Sequence, residues 1–310
     1  MAYELPPHHS LESFPGLSGL QVDAGGVSFS GVTGGSGPAV LLLHGYPQTH
    51  LAWRYIAPQL ARSFTVVAPD LPGYGDSKTG ADTPRWTKRR VAEALTSMMK
   101  QLGHAEFAVV GHDRGARAGY RLALDHRDHV THYASLAVVP TLDAWDAADM
   151  RFGLANFHWF LLAQPFDLPE RMLSADPDAF IDAALARMAG GIDHIDTVAL
   201  SAYRRAFRNP SVRRAMCEDY RAAAHEDLAH DTADRAAGTM LNCPVLALWP
   251  DSFGGEHSPL DIWRRWASNV SGKALRAGHL LPEECPGEVT AELLAFLGGN
   301  QVGGAKTRRD

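Results

Sequence analysis

Val109-Val-Gly-His-Asp-Arg-Gly-Ala-Arg117 decides how this chain is read. An apolar run, Phe107 to Val110, meets glycines at 111 and 115 with Asp113 between them, and helix-forming residues follow. The pattern G-x-D-x-G predicts a buried strand, a tight turn and a helix, with the Asp113 carboxylate at the apex of the turn. A hydroxyl at such an apex performs acyl transfer. A carboxylate instead attacks carbon directly and forms an ester, which suits displacement of a leaving group from sp³ carbon. Arg114 follows at once and Arg117 one helical turn later. Two guanidinium groups beside the nucleophile point to a substrate that is itself an anion.

Outward from this turn the chain alternates strand and helix signals. Gln21 to Val32 fits an antiparallel opening hairpin, while Ala39 to Leu43 and Phe64 to Ala68 are short apolar runs of the kind buried on both faces of a sheet. Helical spacing is expected around Leu51 to Leu60, from Arg85 to Leu102 and from Arg114 to Leu124. Strands are expected near Tyr133 to Val139, Val245 to Trp249 and Ala274 to Ala277, with a closing amphipathic helix from Glu288 to Leu297. Between Thr141 and Arg235 the sequence is rich in helix formers and aromatics and has no strand-like run. Such a pattern predicts an α/β fold: a mostly parallel central sheet with an inserted helical cap. The expected division is a core over 1–140, a cap over 141–235, the rest of the core over 236–298 and a disordered Gly-rich tail over 299–310.

Bulk properties fit a globular enzyme. The 310 residues suffice for one α/β core with an insert. Charged residues make up 21% and hydrophobic ones 45%, and a net charge of −6 argues against nucleic acid or an anionic membrane surface as partner. Cys217, Cys243 and Cys285 are odd in number and lack metal-site spacing, which suits a reduced, cytoplasmic setting. The first residues lack a basic region followed by an apolar run, so no signal peptide is expected, and His8 and His9 read as a solvated leader rather than a metal site. No window approaches the ~20 apolar residues of a membrane span.

In an open parallel sheet, ligands collect beyond the carboxyl ends of the strands. Asp113, His44 to Tyr46, Asp251 and His279 each follow such a strand, in the chain order nucleophile, acid, histidine. A lone His after a strand is more often a packing residue, but a carboxylate nucleophile requires a base late in the chain, and Gly278-His279 stands there. His44-Gly45-Tyr46-Pro47 offers one oxyanion-hole N–H, from Tyr46, and the Arg114 N–H offers the other.

On these residues the chain resembles the haloacetate dehalogenases, the fluoroacetate dehalogenase family of the α/β-hydrolase fold. His44-Gly-Tyr-Pro-Gln-Thr-His50, Asp70-Leu-Pro-Gly-Tyr-Gly75, Gly111-His-Asp-Arg-Gly-Ala-Arg117, His158-Trp159, Cys217-Glu-Asp-Tyr-Arg221 and Gly278-His-Leu-Leu-Pro-Glu283 carry the likeness, which runs from about Phe14 to Leu297. Arg directly after the nucleophile is its most specific element, because haloalkane dehalogenases and epoxide hydrolases commonly place Trp there. The resemblance implies that Asp113 attacks the halogen-bearing carbon while Arg114 and Arg117 hold the substrate carboxylate. It further implies that His158, Trp159 and Tyr220 hydrogen-bond the departing halide, that His279 activates the water that hydrolyses the ester, and that the chain forms a homodimer through its cap. This chemistry calls for no metal and no organic cofactor.

Ala137 departs from the family. The acid that orients the catalytic His usually ends the strand before the cap, and the matching position in Tyr133-Ala-Ser-Leu-Ala-Val-Val-Pro140 is Ala137. Related enzymes place the acid after the next strand, which points to Asp251; Asp143, Glu256 or no acid at all are the alternatives. Met188, in the cap, is expected to widen the pocket. The leading expectation is hydrolysis of a short 2-haloacid, fluoroacetate or chloroacetate, to glycolate and halide. An epoxide hydrolase shares the Asp–His pair and needs two cap tyrosines, with Tyr203 and Tyr220 as candidates, but a neutral epoxide has no use for two arginines. A hydrolase-fold carboxylate-binding protein with impaired turnover is the third reading, motivated by Ala137.

Overall fold

The computed structural model describes residues 9–80, 85–253 and 258–299, so Glu256, His8 and the tail from 300 onward lie outside it. Nine strands among the described residues form one sheet. They are β1 (Ser18–Ala24), β2 (Val27–Gly35), β3 (Ala39–Leu43), β4 (Thr65–Pro69), β5 (Lys78–Thr79), β6 (Phe107–His112), β7 (Val130–Leu136), β8 (Val245–Pro250) and β9 (Val270–Leu275). The order is β1-β2-β4-β3-β6-β7-β8-β9, with β5 beside β2. The β1–β2 and β2–β4 pairs are antiparallel and every pair from β4 through β3, β6, β7 and β8 to β9 is parallel. The expected α/β class, a mostly parallel sheet with a helical cap, is what the chain adopts.

Every residue of β3 and β6 is buried, as the unbroken apolar runs require of strands covered on both faces. Helix α1 (Lys88–Gln101) starts at Thr87, whose hydroxyl accepts from the Arg90 N–H, and presses Val91, Leu95, Met98 and Met99 inward. Helix α2 (Arg114–Asp125) follows β6 directly. Between β7 and β8 the chain is helical: α3 (Thr141–Asp146), α4 (Met150–Ala155), α5 (Phe157–Leu162), α6 (Leu168–Ala175), α7 (Pro177–Ala189), α8 (Thr197–Arg208), α9 (Pro210–Ala224) and α10 (Glu226–Ala236). Helix α11 (Pro286–Gly298) closes the described chain, and no described helix is long and apolar enough to cross a membrane.

Three expectations are corrected. The helix expected over Leu51 to Leu60 is a 3₁₀ turn at His50–Trp53 and a single α-turn at Ala57–Leu60, because Thr49 caps the first piece and Pro58 lacks the N–H a continuous helix needs. The strand expected to reach Val139 ends at Leu136, since Ala137 turns into the left-handed region at φ 64°. The last strand lies upstream, at Val270–Leu275, and leaves Ala277 to the turn before His279.

Buried ion pairs seat the helical insertion on the sheet. Asp143, on α3, accepts from Trp266 Nε1 at 2.6 Å and from Arg235 Nη2 at 2.9 Å. Arg121, on α2, donates to Asp231 at 2.8 Å and Asp234 at 2.6 Å, and the Tyr120 hydroxyl donates to Asp231 at 2.7 Å. Asp143 is therefore committed to this clamp and is not the acid of the histidine.

Candidate active site

The turn that carries Asp113 is forced by its two glycines. A Cβ at Gly111 would stand 2.4 Å from Ala116 Cα, and one at Gly115 would stand 2.3 Å from Leu43 O, so α2 packs against β3 and β6 only where side chains are absent. Asp113 takes φ 46° and ψ −114°, a conformation L residues rarely adopt and one the flanking packing must impose. Its Oδ2 accepts from the Tyr46 N–H at 2.9 Å, and its Oδ1 stands 3.7 Å from His279 Nε2. Burial opposes its charge, but His279, His112 and Arg114 outweigh burial and hold the carboxyl well below the usual carboxylate range. Asp113 is an ionised carboxylate with one oxygen bound by the Tyr46 N–H and the other facing His279.

The loop bearing Tyr46 is set by His44, which is wholly buried. His44 Nδ1 lies 2.9 Å from Gly45 O, and Nε2 accepts from the Leu71 N–H at 3.0 Å. Asp70 ties the neighbouring loop by accepting from the His50 backbone at 2.7 Å, the His50 ring at 2.8 Å and the Asp76 N–H at 2.9 Å. The HGYPQTH and DLPGYG segments thus act as scaffold for one N–H aimed at the Asp113 carboxylate.

The two arginines differ in surroundings. Arg114 is fully buried; its Nε and Nη2 fork onto Asp219 at 2.9 and 2.6 Å, leaving Nη1 without a hydrogen-bond partner. Asp219 also accepts from Lys88 Nζ and, at 2.9 Å, from the Tyr74 hydroxyl, and these cations hold it far below the usual carboxylate range. Among the described residues Arg117 has no carboxylate partner. Its Nη1 donates to Thr141 Oγ1 at 3.1 Å, its Nε has no partner and its guanidinium lies 4.7 Å over the Trp159 ring. Burial, and next the neighbouring Arg114, lower its pKa. Arg117 lines the cavity beside Asp113, whereas Arg114 is not among its lining residues and stacks 4.5 Å over the Tyr220 ring.

That cavity, of about 610 Å³, is walled by Asp113, Arg117, His158, Trp159 and His279 with apolar cap residues beyond. Tyr220 packs edge-on against His158 at 5.6 Å and Tyr46 at 5.3 Å, and Trp159 lies 6.1 Å from its ring. The Tyr220 hydroxyl, the Trp159 indole N–H and the His158 ring have no hydrogen-bond partner among the described residues, and His158 and Trp159 line the cavity. Burial pushes the His158 pKa down to about 4, which keeps its ring neutral at physiological pH.

His279 is held through its backbone. Its N–H donates to Met188 O, at the end of cap helix α7, at 2.8 Å, and its carbonyl accepts from His112 Nε2 at 2.8 Å. Glu284 grips both neighbours, accepting from the Gly278 N–H at 2.6 Å and the Leu280 N–H at 2.8 Å. Asp113 is the carboxylate paired with its ring among the described residues. Asp251 is exposed, makes no side-chain bond to His279, and takes part through its N–H to Leu275 O at 2.8 Å. The expected acid is thus not brought to the histidine. Ala137 does line the same cavity as His279.

Asp219, Lys88, Thr141, His112 and Glu284 were invisible as site residues. Asp219 sits inside the quoted Cys217–Arg221 segment, and its adjacency to Tyr220 was the one available signal. Lys88 reaches Asp219, and Thr141 reaches Arg117, across sequence gaps that no motif spans.

A profile of the α/β-hydrolase fold matches residues 38–251. A fluoroacetate dehalogenase from a Burkholderia species is 37% identical over 303 residues, covering 96% of this chain and 99% of its own. A soluble epoxide hydrolase from a Corynebacterium species is 33% identical over 277 residues, covering 86% and 92%. A solved Pseudomonas aeruginosa structure, described provisionally as an epoxide hydrolase, is 51% identical with a TM-score of 0.90, covering 92% of this chain and 96% of its own.

Proposed function

Because the chain belongs to the α/β-hydrolase family, we propose that it hydrolyses the carbon–halogen bond of 2-haloacids, fluoroacetate and chloroacetate being the smallest, through an ester on Asp113. The observation that carries this reading is Arg117, a buried cation beside the nucleophile with no carboxylate of its own. A substrate carboxylate supplies the missing counter-charge, and with Arg114 Nη1 it fixes the reacting carbon in line with Asp113 Oδ1.

Asp113 Oδ1 forms the new C–O bond as the C–halogen bond breaks, and the halide leaves with the bonding pair. Fluoride is a poor leaving group and a strong acceptor, so the donors of His158, Trp159 and Tyr220 address the difficult part of the step. Oδ2 becomes the ester carbonyl oxygen while keeping its hydrogen bond from Tyr46 N–H. A water that gives its proton to His279 then attacks the ester carbon, and the growing oxyanion is met by the N–H groups of Tyr46 and Arg114. Collapse expels the alkoxide, which takes the proton from His279 to become the 2-hydroxyacid, and Asp113 returns to its carboxylate with one proton lost to water.

An epoxide hydrolase shares the nucleophile and base. It needs two free tyrosine donors, and the Tyr203 hydroxyl is already committed to Glu283 at 2.7 Å. Halide-electrode assays with fluoroacetate and chloroacetate, run beside diol formation from styrene oxide, test the choice. Halide release that Asp113→Asn abolishes is the expected result; diol without halide selects the epoxide reading. Carboxylate binding without either product selects an impaired binding protein.

A further inference from the structure

Haloacetate is small for this chamber. It has only five non-hydrogen atoms, and at roughly 30 Å³ for each water-sized atom it fills roughly 150 Å³. The cavity measures about 610 Å³, a volume ordinary for a ligand several times that size. One face of α7 explains the surplus. Phe180, Ala183, Ala184, Arg187 and Met188 all line the cavity, at the i, i+3, i+4, i+7, i+8 spacing of a single helical stripe. The middle of that stripe is two alanines where larger side chains would close the space. Val138, Val139, Phe152 and Phe157 also line the cavity. Arg187 is turned away from any carboxylate: its Nη1 donates to Leu154 O at 3.0 Å and its guanidinium lies 5.2 Å over Phe157. The chamber beyond the reacting groups is lined mainly by apolar and aromatic side chains, with Asn156, Ser252 and Arg187 among them.

Resting on the haloacid reading above, we propose that the preferred substrates are 2-haloacids carrying an aryl or branched alkyl group on the halogen-bearing carbon, with the stripe around Ala183 and Ala184 as the specificity-determining surface. The carboxylate and halogen occupy the polar end at Arg117, His158 and Trp159, and the carbon substituent lies against Phe180 and Phe157. The balance is unchanged: Asp113 Oδ1 bonds to the substituted carbon, halide departs, and water returns a substituted 2-hydroxyacid and a proton.

Burying a phenyl-sized group contributes about 1.5–3 kcal/mol, so kcat/KM for 2-chloro-2-phenylacetate is expected to exceed that for chloroacetate by at least tenfold. In Ala184→Phe the ratio of the two kcat/KM values falls at least tenfold. Chloroacetate turnover without turnover of the aryl acid overturns this inference and leaves the haloacid reading intact; so does an equal loss on both substrates in a folded A184F. If neither acid releases halide, the haloacid reading fails and binding decides the chamber's role. Phenylacetate raising the melting temperature at concentrations where acetate does not supports an aryl site, and equal shifts overturn it.

Discussion

Replacing Arg117 with Met is expected to weaken substrate binding and stabilise the protein at the same time. Arg117 is 2% exposed and has no carboxylate partner. The repulsion from Arg114 outranks the attraction of Asp113 among the influences on it. Removing one lone buried charge recovers several kcal/mol. Against that, the Thr141 hydrogen bond contributes about 1 kcal/mol and the stacking on Trp159 about 1–2 kcal/mol. A net gain of about 1–2 kcal/mol remains, a rise of about 2–4 °C in melting temperature. A charge-assisted hydrogen bond to the substrate carboxylate is worth about 1.5–3 kcal/mol, so KM for chloroacetate rises roughly 10- to 150-fold. Differential scanning calorimetry and steady-state halide release read the two effects. An unchanged KM, or a melting temperature that falls, refutes the assignment of Arg117 to the substrate.

Other substitutions probe the remaining groups. Asp251→Asn leaves turnover within about twofold, because its side chain is exposed and unpaired; a loss of the order of 10⁴, typical of an orienting acid, would restore it to the mechanism. Ala137→Asp raises steady-state turnover at least tenfold without changing the first-turnover halide burst, since the left-handed φ of 64° suits Asp better than Ala and the residue shares the cavity with His279; equal rates in both phases count against it. Burial lifts Asp227 to about 6, with Lys88 opposing, so its protonated form is favoured in the fold. Its contribution to stability is full below about pH 4 and is lost as pH rises through 6, by about 2–3 kcal/mol. Asp227→Asn removes that fall, and urea unfolding at pH 4.5 and 7.5 compares them; parallel pH profiles for the two proteins contradict it.

The turn that carries Asp113 is readable because its constraints are local: Gly111 and Gly115 are demanded by contacts under 3 Å, and the apolar run of β6 by burial on both faces. His44, Tyr46 and His279 were readable because each follows a parallel strand. The arginines were identified but not distinguished, for the carboxylate that occupies Arg114 lies on α9, more than a hundred residues away. Asp251 misled because position after a strand fixes the backbone, whose N–H does pair with Leu275, and says nothing about where an exposed side chain turns. Met188, His112 and Glu284 hold His279 by binding backbone groups of residues 278 to 280, and a bond to a backbone group leaves no residue signature there.

The covalent route itself is tested by single-turnover reaction with chloroacetate in H₂¹⁸O, followed by mass analysis of the Asp113 peptide and of the product. The geometry of Asp113, Tyr46 and His279 predicts ¹⁸O in the Asp113 carboxylate and unlabelled glycolate after the first turnover. Labelled glycolate with an unlabelled Asp113 would mean that water attacks the substrate directly, and would contradict the ester.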